Sequence, residues 1–288
     1  MTDRTPYSDD NAGKDDGPPP FGAGHQLTGD YRIIAHIRRG NDLDVYDAWS
    51  DARSARCVVK TIRPDKLEKA SARRRLLREG KLLQRLTHPH IVRAYETMTS
   101  PQPIVILETL GGETLSHLIE RRDKRLRAVE VAYLGLHLCS AIHYLHQQRM
   151  IHLDVKPSNI IASAGIAKLL DLSIARPPGN CRGGVGSYGY MSPEQNHGGI
   201  IGPKSDVWGI GAVLFAAATA ETPFDDDATA TDAPQPDVPF APLLTLRRLP
   251  RPFASVIDAC LEIDPDRRPT IPELSALLTA VATPDPLV

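Results

Sequence analysis

The chain has 288 residues, 41% apolar and 24% charged, with 34 Lys plus Arg against 35 Asp plus Glu for a formal net charge of −1. That length suits one large domain or two lobes with a sizeable core, and the composition excludes a fibre, a disulfide miniprotein and a wholly disordered chain. The charge balance offers no global attraction to nucleic acid or to an anionic membrane.

Residues 1–29 contain no Ile or Val, one Leu and the run Pro18-Pro19-Pro20. So little apolar surface cannot offset the entropy of ordering, and a disordered tail is expected. From Tyr31 the runs YRIIAHI, LDVYDAW and ARCVVKTI are short, β-branched and separated by polar turns, which predicts an antiparallel meander. A helix follows over 66–87, then a strand in PIVILETL. Later helices are expected at 114–121, 127–148, 205–220, 253–262 and 271–282. A small β-rich part before a larger helical part implies an α+β fold of two lobes with a cleft between them.

Cys57, Cys139, Cys181 and Cys260 lie far apart without CxxC spacing, which argues against structural zinc. The opening MTDRTPYSDD lacks a secretory pattern, so a reducing cytoplasm is expected. The uncharged run at 207–220, VWGIGAVLFAAATA, falls short of the ~20 residues a spanning helix needs and is expected to be a buried helix, leaving no membrane segment.

Within the 66–87 helix, Leu76, Leu83 and Leu86 form an apolar stripe that Glu79 interrupts. A carboxylate on such a face is costly without a cation, which Lys60 at the end of CVVK could supply, but from the helix alone a solvated stripe edge is the favoured reading. The arginines of the opposite face, Arg73, Arg74, Arg75 and Arg78, read as solvated in a neutral protein, with RNA binding as a distant alternative.

Residues 151–160 read IHLDVKPSNI and 171–173 read DLS. Asp154, Asn159 and Asp171 have the chemistry of a base and of oxygen ligands for a hard divalent cation, and Lys156 can pair a phosphate. These segments belong to an ordered series: CVVK, the helix glutamate, HPHIV, HLDVKPSN, DLS, GSYGYMSPEQ, SDVWGIG and DPDRRPT. In that order they resemble the bacterial eukaryotic-like (Hanks-type) serine/threonine protein kinases from about Tyr31 to Leu278.

The resemblance implies a bilobed protein-kinase-like fold with a small β-rich N-lobe and a larger α-helical C-lobe. It implies a kinase domain over 30–282, with N-lobe 30–107, hinge 108–112 and C-lobe 113–282, followed by a tail at 283–288. ATP would be the co-substrate, Mg²⁺ or Mn²⁺ the metal, and Ser/Thr hydroxyls of unidentified proteins the acceptors. Lys60, held by Glu79, would pair the α/β-phosphates; Asp154 would accept or orient the substrate hydroxyl; Lys156 would neutralise the γ-phosphoryl group; Asn159 and Asp171 would hold the metal. Ile37, Val45, Val58 and Ile161 would contact adenine, Leu107 would be the gatekeeper, and the backbones of Glu108 and Leu110 would bind the adenine edge. Ser187 would sit near the base, while Asp206, Glu194 and Arg268 would be structural.

Four departures from the family pattern carry expectations. The phosphate-covering loop reads RRGNDLDV at 38–45, keeping only Gly40 of three glycines and adding Asp42 and Asp44, partly offset by Arg38 and Arg39. Side chains there obstruct close approach to phosphates, so weaker nucleotide binding is expected, and a pseudokinase acting as a binding or scaffold module is the alternative function. Leu153 replaces an arginine that would receive an activating phosphate, and 174–186 contains no Ser, Thr or Tyr. Activity is therefore expected not to depend on phosphorylation of that segment, where Cys181 reads as an exposed thiol. Ser173 replaces the glycine of the metal motif, and the acidic, proline-rich 225–242 stretch stands where relatives have a docking helix.

Overall fold

Alternating burial marks the first strands of the chain, and one-sided burial marks the amphipathic helix that follows them. A computed structural model describes residues 17–121, 125–224 and 240–283. The chain divides into two units, Met1–Glu113 and Thr114–Val288, so the stretch expected as a hinge, 108–112, belongs to the first.

The first unit holds β1 (Tyr31–Arg39), β2 (Leu43–Ser50), β3 (Ala55–Ile62), α1 (Ala70–Arg85), β4 (Ala94–Met98) and β5 (Ile104–Glu108). Its strands form one antiparallel sheet in the order β1-β2-β3-β5-β4. Tyr46 and Ala48, Cys57 and Val59, and Ile104 and Ile106 alternate onto one apolar face with Tyr31 and Ile33. α1 packs against β4 and β5, and the bare Cα of Gly80 admits Thr97 and Val105, which a Cβ there would strike.

Residues 17–29 correct the expectation of a disordered tail over 1–29. Leu27 is only 5% exposed and joins the apolar face, with Phe21 packed against it. The Leu27 N–H donates to the Tyr31 carbonyl at 2.9 Å, Gly24 N–H to Ile33 at 2.8 Å and Ile33 N–H to His25 at 2.9 Å. Pairing with β1 satisfies this strap's backbone, and two apolar side chains anchor it, which average composition does not register. Residues 1–16 lie outside the described residues.

The two-residue strand β6 (Glu113–Thr114) falls at the division. The second unit continues with α2 (Leu115–Arg121), α3 (Ala128–Gln147), the antiparallel pair β7 (Ile160–Ser163) and β8 (Ile166–Leu169), and β9 (Gly179–Arg182). α4 (Pro193–Asn196) precedes β10 (Gly198–Ile201), which pairs with β9. Then come α5 (Pro203–Thr219), α6 (Leu243–Leu246), α7 (Arg251–Cys260) and α8 (Ile271–Ala282). Every residue from Ser205 to Thr219 is buried, as expected of a helix apolar all round. Gly211 lets α7 approach α5 at Cys260. α3, by length and composition, is the one helix among the described residues able to cross a membrane, but half of it is buried and it packs against α5 and α8. The 225–239 stretch and residues 284–288 lie outside the described residues, so the reading of 225–242 concerns structure only at its last three positions.

Candidate active site

In the first unit the predicted pairing of helix and strand is present. Glu79 lies between Leu76 and Leu83 on the buried face of α1. Its carboxylate accepts from Lys60 Nζ at 2.7 Å, with the side chains 0% and 9% exposed. Burying either charge alone is costly, so the pair fixes α1 against β3 as well as presenting an ammonium. The solvated-edge reading is excluded by that burial. Antiparallel register places Val45 opposite Lys60, and Val58 opposite Leu107, on one face of the sheet. Val45, Val58 and Ile37 are half-buried, whereas Leu107 is buried. The Glu108 N–H donates to the Arg93 carbonyl at 3.0 Å.

The 38–45 turn differs from the expectation that its acids stand beside phosphate with only Arg38 and Arg39 to offset them. Asp44 is fully buried and held by Arg39 through Nε at 2.8 Å and Nη2 at 2.9 Å. Asp42 accepts from Lys69 at 2.7 Å and from Arg75 at 2.9 Å, both remote in sequence.

In the second unit one loop carries the charged groups. Asp206, in the first turn of α5, is buried and accepts from the His152 N–H at 2.9 Å and the Leu153 N–H at 2.8 Å, with His146 Nε2 2.8 Å away. Leu153 sits at φ 68°, a left-handed conformation that costs an L residue energy. Asp206 holds its N–H, and Gln195 Nε2 donates to its carbonyl at 2.8 Å. The loop is thereby turned so that Asp154 faces Lys156, Asn159 and Ser187.

Asp154 accepts from the Ser187 hydroxyl at 2.6 Å and from Asn159 Nδ2 at 2.8 Å, and Lys156 Nζ lies 3.4 Å away. Lys156 also donates to Ser187 Oγ at 2.5 Å. Because Asn159 Nδ2 faces two acceptors, the carboxylate and the carbonyl of Asp154, its amide oxygen is turned away from them. The Leu170 N–H donates to the Asn159 carbonyl at 3.0 Å, bringing the next residue, Asp171, alongside. Asp171 Oδ1 accepts from the Ser173 N–H at 2.8 Å, a bond the glycine-to-serine departure leaves intact.

These donors fit a hard divalent cation of the Mg²⁺ type. Among the described residues no group of three or more His, Cys, Asp and Glu could cage a metal. One amide and one carboxylate oxygen match an ion that completes its shell with phosphate and water. Ile161 is buried in β7.

Two further features escaped the linear reading. Leu153, 3% exposed, packs with Ile151, Cys181 and Ile201. Cys181 is therefore buried, 9% exposed, and not the exposed thiol expected from its loop-like surroundings. The alternation of Ile151 and Leu153 in the sequence was the available signal, but their partners Cys181 and Ile201 come from β9 and β10. Arg268 and Glu194 form the buried ion pair expected of them, at 2.7 Å.

The sequence matches the protein kinase domain family over residues 31–277, and the chain belongs to that family. It is 30% identical to the probable serine/threonine-protein kinase PkwA of Thermomonospora curvata over 268 residues, covering 89% of this chain and 35% of that protein. It is 32% identical to the serine/threonine-protein kinase PknB of Mycobacterium tuberculosis over 247 residues, covering 80% of this chain and 39% of that protein. A probable serine/threonine-protein kinase of Streptomyces coelicolor, SCO3848, is 29% identical over 265 residues, covering 84% of this chain and 38% of that protein. The chain thus spans less than two fifths of the length of these curated relatives.

Proposed function

We propose that the chain is an ATP-dependent protein kinase that transfers the γ-phosphoryl group to Ser/Thr hydroxyls of protein substrates, with its kinase domain spanning about 30–282. The observation that carries this reading is the Asp154–Lys156–Ser187 cluster, a carboxylate, an ammonium and a hydroxyl within 3.4 Å of one another. Asp154 takes the proton of the incoming hydroxyl as its oxygen bonds to the γ-phosphorus and the bond to the β-phosphate oxygen breaks, releasing ADP. Lys156 offsets charge on the transferred group, and Ser187 holds the base and the lysine in register. In the first unit Lys60, oriented by Glu79, pairs the α/β-phosphates, Gly40 lies in the turn over them, and Ile37, Val45, Val58, the Glu108 carbonyl and the Leu110 backbone serve adenine. In the second, Ile161 does the same. Asn159 and Asp171 would hold Mg²⁺ or Mn²⁺, which neutralises phosphate charge when bound.

A signalling role would follow from the kinase reading, and a cytoplasmic location agrees with four cysteines that are free and buried. Burial pushes the Cys57 thiol up to about 11 and the Cys139 thiol up to about 12, away from reactive thiolates. The test is phosphate transfer from labelled ATP to a mixed protein substrate with Mg²⁺ and Mn²⁺. Asp154→Asn should lower turnover by about 10²–10⁴-fold while leaving circular dichroism unchanged. Wild type and Asp154→Asn equally silent with both metals would overturn the enzyme and leave the pseudokinase reading.

A further inference from the structure

The 38–45 turn lacks two of the three glycines found in its relatives' pattern, yet it is heavily bonded. The Gly40 N–H donates to the Leu43 carbonyl at 2.8 Å, closing the turn between β1 and β2. On one side the Asp42 carbonyl accepts from the Arg63 N–H at 3.0 Å, and the Gly40 carbonyl from Arg63 Nη1 at 3.3 Å. Arg63 is itself gripped by Asp65 at 2.9 and 3.1 Å. The Asp42 carboxylate, 11% exposed, divides its oxygens between Lys69, just before α1, and Arg75, in its second turn. On the other side Arg39 spans from Asp44 to the Pro18 carbonyl, 2.8 Å away, and the Phe21 N–H donates to the Tyr46 hydroxyl at 3.1 Å. The strap carrying Pro18 and Phe21 precedes the part of the chain that matches the family.

We propose that Asp42 is a positioning residue for the triphosphate: by bridging Lys69 and Arg75 it staples the phosphate-covering turn to α1 and hence to the Lys60–Glu79 pair. Arg75 and Glu79 stand one helical turn apart on α1, so the turn and the ammonium of Lys60 share one support. Loops with three glycines can shape themselves around phosphates. Here the shape is set in advance by ion pairs and backbone bonds, which lowers the ordering entropy that the nucleotide must overcome. The same pairing neutralises Asp42, so its charge does not repel the nucleotide. This assignment rests on the kinase reading above.

The sign of one substitution separates this staple from simple electrostatics. Asp42→Asn removes a negative charge near phosphate, which by charge alone would tighten Mg-ATP binding. The staple predicts the opposite: KM for ATP rises by about 3- to 10-fold with kcat within about twofold. Asp42→Glu, which keeps the charge, returns KM to near the wild-type value. Lys69→Gln/Arg75→Gln raises KM further, because the carboxylate is then bare. Amide hydrogen exchange of the nucleotide-free full chain should quicken at residues 39–43 in Asp42→Asn, with the thermal midpoint reporting any general unfolding. Equal or tighter Mg-ATP binding by Asp42→Asn, or unchanged exchange at 39–43, would overturn the proposal. A wild type that neither binds Mg-ATP nor transfers phosphate would instead refute the kinase reading, while exchange would still report on the staple.

Discussion

Arg268 offers the largest effect that can be worked out bond by bond. Its side chain is 0% exposed, and Glu194 beside it is 12% exposed. All five guanidinium N–H donors are used: two on Glu194 at 2.7 and 2.9 Å, and one each on the carbonyls of Glu262, Lys204 and Ile263 at 2.8, 2.9 and 3.1 Å. The guanidinium carbon also lies 5.0 Å from the Trp208 ring. Arg268→Ala would strand a carboxylate and three carbonyls and open a cavity. Removing one partner of a buried ion pair costs about 3–5 kcal/mol, a large part of the ~5–15 kcal/mol that holds a domain together. Urea denaturation of the full chain, followed by circular dichroism, should show a loss of about 4 kcal/mol, with Arg268→Lys intermediate because an ammonium supplies three donors. The pH dependence adds a second check. Burial raises the Glu194 carboxyl, but hydrogen bonds and charge from Arg268, with the Ser205 hydroxyl, bring it below the usual glutamate value. A lowered folded pKa means that the stabilisation is complete above the unfolded value and fades as pH falls through the folded one. Wild type and Glu194→Gln should therefore draw together in stability as pH falls below the usual glutamate value and on through the lowered folded one. A loss under about 1 kcal/mol in Arg268→Ala, or no convergence in acid, would refute the reasoning.

Gly80→Ala drives a methyl into Thr97 and Val105. It should cost about 1–3 kcal/mol in urea denaturation and raise KM for ATP by displacing the neighbouring Glu79. Leu153→Arg puts a cation among Ile151, Cys181 and Ile201, in the cluster where Arg176 already reaches the Cys181 sulfur at 3.7 Å. It should cost about 2 kcal/mol or more, seen as a lower thermal midpoint, and prior incubation with Mg-ATP should not restore it, since 174–186 has no hydroxyl to phosphorylate.

Much of this protein could be read along the chain because the relevant forces are local. The apolar spacing of 127–148 and 271–282 returned α3 and α8 within a residue or two. Glu79 among leucines read by itself as a solvated stripe edge; the order of the motifs paired it with Lys60, and Lys60 is there at 2.7 Å. The α+β class followed from where strand and helix periods change. Composition misled where a few contacts outweigh an average. Leu27 and Phe21 anchor residues 17–29 although their neighbours are polar, and Cys181 is buried by residues from other segments.

The placement of charge lies beyond any local reading. Asp42 and Asp44 look alike in RRGNDLDV, yet one is held by Lys69 and Arg75 and the other by Arg39. Leu153 in the sequence is a lost arginine; in the fold it is a buried apolar contact at φ 68°, held by Asp206 and Gln195. Periodicity and motif order establish which elements form and which chemistry they carry, because those depend on neighbours in the chain. Whether a carboxylate repels phosphate or braces a turn depends on cations some 30 residues away, which only folding brings within 3 Å.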